Sequence, residues 1–230
     1  MKVIRIDSAI GQDSGELSAR WLRSQLPTTG EDVTLQIHCE GGSVLEGFAM
    51  LDILAAYPGR VKAVVSSMAL SMASALLTGC DSVEVTPTAY CMLHNAHMND
   101  ADVTPSEEKL LNSLSEKMVK LYSQRMKKPA GTIRKMMASE TFLDASQAVS
   151  CGLADRIVDA SRLSISARAI PSRIVAKIKA ASPVGTTATA RWKAAVSAKA
   201  ATMPKAKAIM EVDKSHPGLR QQFVAEFNKR

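Results

Sequence analysis

The stretch that decides the fold is Val61-Lys-Ala-Val-Val-Ser-Ser-Met-Ala-Leu-Ser-Met-Ala-Ser-Ala-Leu-Leu-Thr-Gly79. Its opening residues, Val61–Ser66, are rich in β-branched and apolar side chains, as a buried strand requires. From Met68 to Thr78 the side chains become small or unbranched, which predicts a buried helix ended by Gly79. A strand passing directly into a helix is the repeating unit of layered α/β folds. The alternation continues upstream. Val3–Ile6 reads as a strand, and Ser14–Leu26 as a helix with Leu17, Trp21, Leu22 and Leu26 near one face. Val33–Cys39 alternates with period two into Glu40-Gly41-Gly42, and a helix over Ser43–Tyr57 stops at Pro58-Gly59. Downstream, Val83–Val85 and Cys91–Leu93 read as short strands around Pro87. Ser106–Lys127 reads as a long amphipathic helix, followed by shorter helices at Thr132–Ala138 and Asp144–Ser150 and a last strand at Ile157-Val158. The expected fold class is α/β, a largely parallel sheet layered with helices over residues 1–159. The long helix lacks an adjacent strand and is expected to project as an oligomerisation arm.

Composition narrows the function classes. Hydrophobic residues make up 46% of the 230 and charged residues 22%, which excludes wholesale disorder. The longest apolar run, around Ala63–Thr78, is broken by serines and falls short of the roughly 18 residues of a membrane span. Arg5 and Asp7 interrupt any signal-peptide core at the N-terminus, so a cytoplasmic protein without membrane association is expected. Cys39, Cys80, Cys91 and Cys151 form no CxxC pair and are expected to be reduced, buried thiols. No metal or cofactor is expected. No GxxxxGK[ST] motif is present in the sequence, so the chain carries no ATPase of its own.

Three places carry chemistry. Gly41-Gly42, between a strand and a helix, is either a tight turn or a site where backbone N–H groups point outward and another backbone approaches. Ser71 lies at a strand-to-helix junction, where it is either a helix cap or a nucleophile whose oxyanion meets nearby amides; Ser66, Ser67 and Ser74 compete for either role. His94 ends an apolar strand and is either a structural histidine or a base for such a serine. His97 is its rival in the following loop, and His38 reads as a packed or edge residue within its strand.

Together these motifs resemble the proteolytic subunit of the Clp protease family. Ile37-His-Cys-Glu-Gly-Gly-Ser-Val-Leu-Glu-Gly47 resembles its strand–GGxV–helix segment. Ser67-Met-Ala-Leu-Ser-Met-Ala-Ser-Ala-Leu-Leu77 resembles its nucleophile segment, and Met92-Leu-His-Asn95 its histidine segment. Glu140-Thr-Phe-Leu-Asp-Ala-Ser-Gln-Ala-Val-Ser-Cys-Gly-Leu-Ala-Asp155 resembles its third triad segment. The resemblance covers about residues 1–159 and implies the Clp/crotonase-like layered fold and a serine endopeptidase. It implies Ser71 as nucleophile, His94 as general base, and the Gly42 and Met72 amides as the oxyanion hole. It further implies Gly41, Ser43, Val44 and Asn95 beside an extended peptide substrate. The third member it implies is Glu140, which has the family's offset from Phe142-Leu143 but stands where the family has aspartate; Asp144, which also reads as the N-cap of the next helix, is the second choice. Glu40 in place of the family's proline and Ala73 in place of its glycine are further departures. The resemblance also implies a ring-forming homo-oligomer, with rings meeting through the Ser106–Lys127 helix.

Residues 160–230 differ in texture. They hold 16 alanines and carry 14 Lys and Arg against 3 acidic residues, whereas residues 1–159 carry 15 against 19. This reads as a second segment, a largely disordered basic tail with a short terminal helix. Trp192 stands alone, so there is no aromatic series for stacking bases, and nucleic acid is not an expected partner. A Clp-like body with such a tail resembles the prohead (head maturation) proteases of tailed bacteriophages. That branch implies an ATP-independent protease cutting scaffold and capsid proteins within a prohead in the bacterial host cytoplasm. The alternatives are a housekeeping Clp-type subunit working with an ATP-dependent unfoldase, and a non-catalytic shell or adaptor protein on the same fold.

Overall fold

Strand β3 runs over Val61–Leu70, and the helix after it, α3, is only Met72–Leu76, closed by a 3-10 turn at Leu77–Gly79. Met68, Ala69 and Leu70, expected to open the helix, belong to the strand. Their partners Tyr90, Cys91 and Met92 are distant in sequence. Ladder hydrogen bonds to that strand outweigh helix propensities, which differ by only tenths of a kcal/mol per residue. The computed structural model describes residues 1–98 and 103–159. The expected boundary after Asp159 and the basic tail at 160–230 lie outside the described residues.

The sheet runs β1 (Lys2–Ile6), β2 (Val33–Cys39), β3, β4 (Ser82–Val85), β7 (Arg156–Ile157), all parallel. Beyond Ser67, β3 exchanges its neighbour β4 for β5 (Tyr90–Leu93). A strand not anticipated from the sequence, β6 (Thr141–Asp144), pairs antiparallel with β5. The β2–β3 register shifts at the same level: Ile37 opposes Val65, but Cys39 opposes Ala69. Ser66 occupies the irregularity, its hydroxyl donating to the Ile37 carbonyl at 3.3 Å. Every residue of β2 is buried, as in a parallel strand covered on both faces.

Helix α1 is Ala19–Gln25, shorter than the expected Ser14–Leu26. Gly15 at φ 85° and bridges from Ile10 to Leu17 and to Gly42 hold the preceding residues outside the helix, and Ser18 caps it. Helix α2 (Val44–Ala56) begins after the cap Ser43 and ends at Tyr57, close to expectation. Helix α4 (Pro105–Met126) opens with a capping box between Thr104 and Glu107. It is not a free arm along its whole length: Leu114, Met118, Val119, Tyr122 and Met126 are buried. These positions lie on one helical face, and all but Leu114 belong to the same core as the sheet. Leu110, one turn earlier, is 46% exposed. Helix α5 is Ala130–Ala138, starting directly after Pro129, and α6 is Ala145–Ser150. Among the described residues no helix is long and apolar enough to cross a membrane.

Candidate active site

Parallel strands finish at one end of the sheet, and that end is where open α/β sheets place ligands. Here β2 delivers Gly41-Gly42, β3 delivers Ser71 and β5 delivers His94. Strand β6 runs the opposite way, so it begins where the others end, with Glu140 immediately before it. Residues up to 99 positions apart in sequence therefore share one sheet end.

Ser71 sits on a sharp turn with φ 55° and ψ −127°, a conformation rare outside glycine. Its side chain makes no cap hydrogen bond with α3. Instead its Oγ lies 2.6 Å from Nε2 of His94. Two of the rival serines are used elsewhere: Ser66 bonds to Ile37, and the Ser74 hydroxyl lies between the Ser71 and Met92 carbonyls. Ser67 lies half-buried within β3, four residues before Ser71. His97 is exposed and meets His94 edge-on, ring centroids 4.9 Å apart. His38 lies buried within β2.

Nδ1 of His94 lies 3.6 Å from Oε1 of Glu140. Glu140 adopts φ 44° between α5 and β6, its amide donating to the Met137 carbonyl at 3.2 Å. Asp144 opposes Tyr90, four residues from His94, and is engaged as the N-cap of α6. Its Oδ1 accepts from the Gln147 amide at 2.8 Å, and Gln147 returns a bond to the Asp144 amide. Of the two candidate carboxylates, Glu140 is beside His94 and Asp144 is not.

Gly41 and Gly42 have φ of 99° and 142°, a region that disfavours side chains. A Cβ on Gly41 would stand 2.6 Å from the Leu70 carbonyl, 2.7 Å from Ser71 Cβ and 3.0 Å from the Met72 amide nitrogen. The glycine turn thus lies directly against the Ser71–Met72 backbone, and only a bare Cα allows it. Gly47 on α2 serves the same junction, since a Cβ there would collide with the Met72 side chain at 2.2 Å. Met72 opens α3, so its amide is among those with no acceptor inside the helix. Ser43 is engaged twice: its amide donates to Ile10 and its hydroxyl caps α2 through the Glu46 amide. Its main-chain donor is therefore not free for a substrate strand. Val44 is the first residue of α2 and half-buried. Asn95 is exposed just past His94, and the next amide, Ala96, donates to Ser115 Oγ on α4 at 3.0 Å.

The profile of the Clp protease family matches residues 3–161. The chain belongs to the Clp protease family. Among its relatives is the ATP-dependent Clp protease proteolytic subunit of Deinococcus radiodurans, 27% identical over 146 residues, which span 61% of this chain and 71% of the relative. The subunit of the same name from Pelargonium hortorum is 31% identical over 130 residues, 54% of this chain and 59% of the relative. That from Angiopteris evecta is 28% identical over 158 residues, 64% of this chain and 79% of the relative. Every residue of the candidate site lies inside the family match.

Two contributors were missed in the sequence: Ser115, which holds the loop after His94, and Tyr122, whose hydroxyl reaches Ser74. Tyr122 carried a usable signal. A tyrosine on the apolar face of an amphipathic helix brings its O–H into the core and must find a partner there.

Proposed function

We propose that this Clp-family chain is a serine endopeptidase with Ser71 as nucleophile, His94 as general base and Glu140 as the acid that orients the imidazole. The observation that carries the reading is the 2.6 Å contact between Ser71 Oγ and His94 Nε2. His94 accepts the Ser71 proton through Nε2 as Oγ attacks the scissile carbonyl carbon. The electron pair moves to the carbonyl oxygen, which the Gly42 and Met72 amides receive. One such donor supplies about 2.7–4 kcal/mol of transition-state stabilisation in a protease of another fold. The imidazolium then protonates the leaving amine, and water hydrolyses the acyl-Ser71 by the reverse sequence. Glu140, facing Nδ1, orients the imidazole and stabilises the imidazolium. The test is labelling with a fluorophosphonate and mass mapping of the adduct. Modification at Ser71, lost in Ser71→Ala, supports the reading; modification elsewhere, or none, overturns it.

Within the family, the names of the relatives favour a proteolytic subunit that works with an ATP-dependent unfoldase on protein substrates. The head-maturation reading rests on the tail, with its 14 basic residues against 3 acidic ones. In that role the tail targets acidic protein surfaces, an attraction that weakens with salt. Degradation of a folded substrate only when a Clp-type unfoldase and ATP are added supports the first. ATP-independent cutting of an acidic scaffold-like protein, lost on truncation after Asp159 while short-peptide hydrolysis persists, supports the second. In both, the active form is a homo-oligomeric ring.

A further inference from the structure

Beneath Ser71 lies a polar pair that the acid–base chemistry does not use. Tyr122 reaches in from α4, its hydroxyl 2.6 Å from Ser74 Oγ and 3.4 Å from the Ser71 carbonyl oxygen. Ser74 Oγ is also 2.8 Å from the Ser71 carbonyl oxygen and 2.7 Å from that of Met92. Both side chains are fully buried. Burial pushes the Tyr122 phenol well above its ordinary value, so it keeps its proton. The three shorter contacts are satisfied together when Tyr122 donates to Ser74 and the single Ser74 proton is shared between the two carbonyls.

The two carbonyls are the ones that matter for the site. That of Ser71 also accepts from the Ser74 amide at 2.9 Å and the Ala75 amide at 3.2 Å. That of Met92 accepts from the Ser71 amide at 2.9 Å, and Met92 is two residues before His94 on β5. Ser74 therefore ties the turn that carries Ser71 to the strand that carries His94. Ser71's positive φ is a conformation that persists only where its surroundings over-determine it. Each missing hydroxyl would leave buried polar atoms with fewer partners and no water to replace them.

We propose that Ser74 and Tyr122 are positioning residues, which fix the Ser71–His94 geometry through the Ser74 hydroxyl placed between the Ser71 and Met92 carbonyls and oriented by the Tyr122 hydroxyl behind it. This rests on reading Ser71 and His94 as nucleophile and base. Misplacement by about 1 Å at a reacting group costs on the order of a hundred-fold in rate.

The experiment uses the full chain with Tyr122→Phe, Ser74→Ala, Ser74→Thr and the Ser74→Ala/Tyr122→Phe double variant. For each, the second-order rate of fluorophosphonate labelling at Ser71, kcat and KM on a short fluorogenic peptide, and Tm are measured. Tyr122→Phe and Ser74→Ala should each lower labelling and kcat by roughly ten- to a hundred-fold with KM unchanged. Ser74→Thr, which keeps the hydroxyl, should recover most of the rate. The double variant should be no slower than the slower single one, because the two hydroxyls act as a unit. Wild-type labelling and kcat in Tyr122→Phe and Ser74→Ala, with only Tm lowered, would show a purely structural pair and overturn the proposal. Should Ser74→Ala not fold, Tyr122→Phe, which keeps the ring in the core, and Ser74→Thr decide alone. A wild-type chain that never labels at Ser71 overturns the proteolytic reading and this inference together; a wild-type chain that labels beside unaffected variants overturns this inference only.

Discussion

His94 and Glu140 stand opposite one another one step beyond the β5–β6 ladder. In that ladder Leu93 opposes Thr141 and Tyr90 opposes Asp144, so continuing the antiparallel register by one residue brings His94 to Glu140. The side chains follow the backbone, with Nδ1 and the carboxylate 3.6 Å apart. Glu140 itself adopts φ 44° just outside the strand.

Glu140→Gln should lower kcat on a short peptide by about 10²- to 10⁴-fold, the upper figure being the loss in a well-studied triad with a shorter contact. Asp144→Ala should leave kcat near wild type and lower stability by about 1 kcal/mol, since it removes the cap of α6. Steady-state kinetics beside thermal unfolding separates the two. A slow Asp144→Ala and a fast Glu140→Gln would exchange their roles.

His94→Ala should abolish hydrolysis, whereas His97→Ala should retain most of it. His97 touches the edge of the His94 ring and is exposed, while His94 is the histidine at hydrogen-bond distance from Ser71. Turnover of both variants on one peptide substrate checks this.

Gly41→Ala should lose both activity and stability. The new Cβ would meet the Leu70 carbonyl at 2.6 Å and the Ser71 side chain at 2.7 Å, at a φ of 99°. Backbone strain alone costs on the order of 1–3 kcal/mol. Any relief must move the turn away from Ser71. A Gly41→Ala chain with wild-type kcat and Tm would show that this close approach is dispensable.

Leu110→Asp should leave the monomer folded and weaken a ring assembled through α4, because Leu110 is 46% exposed. Leu114→Asp and Met118→Asp, at 7% and 1%, should unfold the chain instead. Light scattering and circular dichroism on the three variants test this. A Leu110→Asp protein with wild-type assembly would exclude that residue from the interface.

The thiols give an alkaline signature. Burial raises Cys39, Cys80 and Cys91 from 9.0 to about 12, so folding favours their neutral form. Their contribution to stability is complete below pH 9 and is lost as pH rises towards 12. Tm should accordingly fall above about pH 9. At pH 8 iodoacetamide should modify the half-buried Cys151 before the other three, as read by peptide mass mapping. Early modification of Cys91 would mean that its strand opens readily.

By itself the sequence determined the strand and helix alternation, the glycine turn, the order of the chemical motifs and the cap at Asp144. Each of these is written within one element, in a period, a turn pair or a cap spacing, and local physics reads it directly. Tertiary structure decided what depends on pairing between distant residues. Met68–Leu70 became strand because β5 offers them a ladder, and Thr141–Asp144 became strand by pairing with the other edge of β5. The offset from Phe142-Leu143 ranked Glu140 above Asp144, but its contact with His94 depends on the register of that pairing. Likewise the burial of α4 and the contact of Tyr122 with Ser74 arise where a helix lands on a sheet built from residues far away from it, so periodicity gave the apolar face and the fold alone gave its partner.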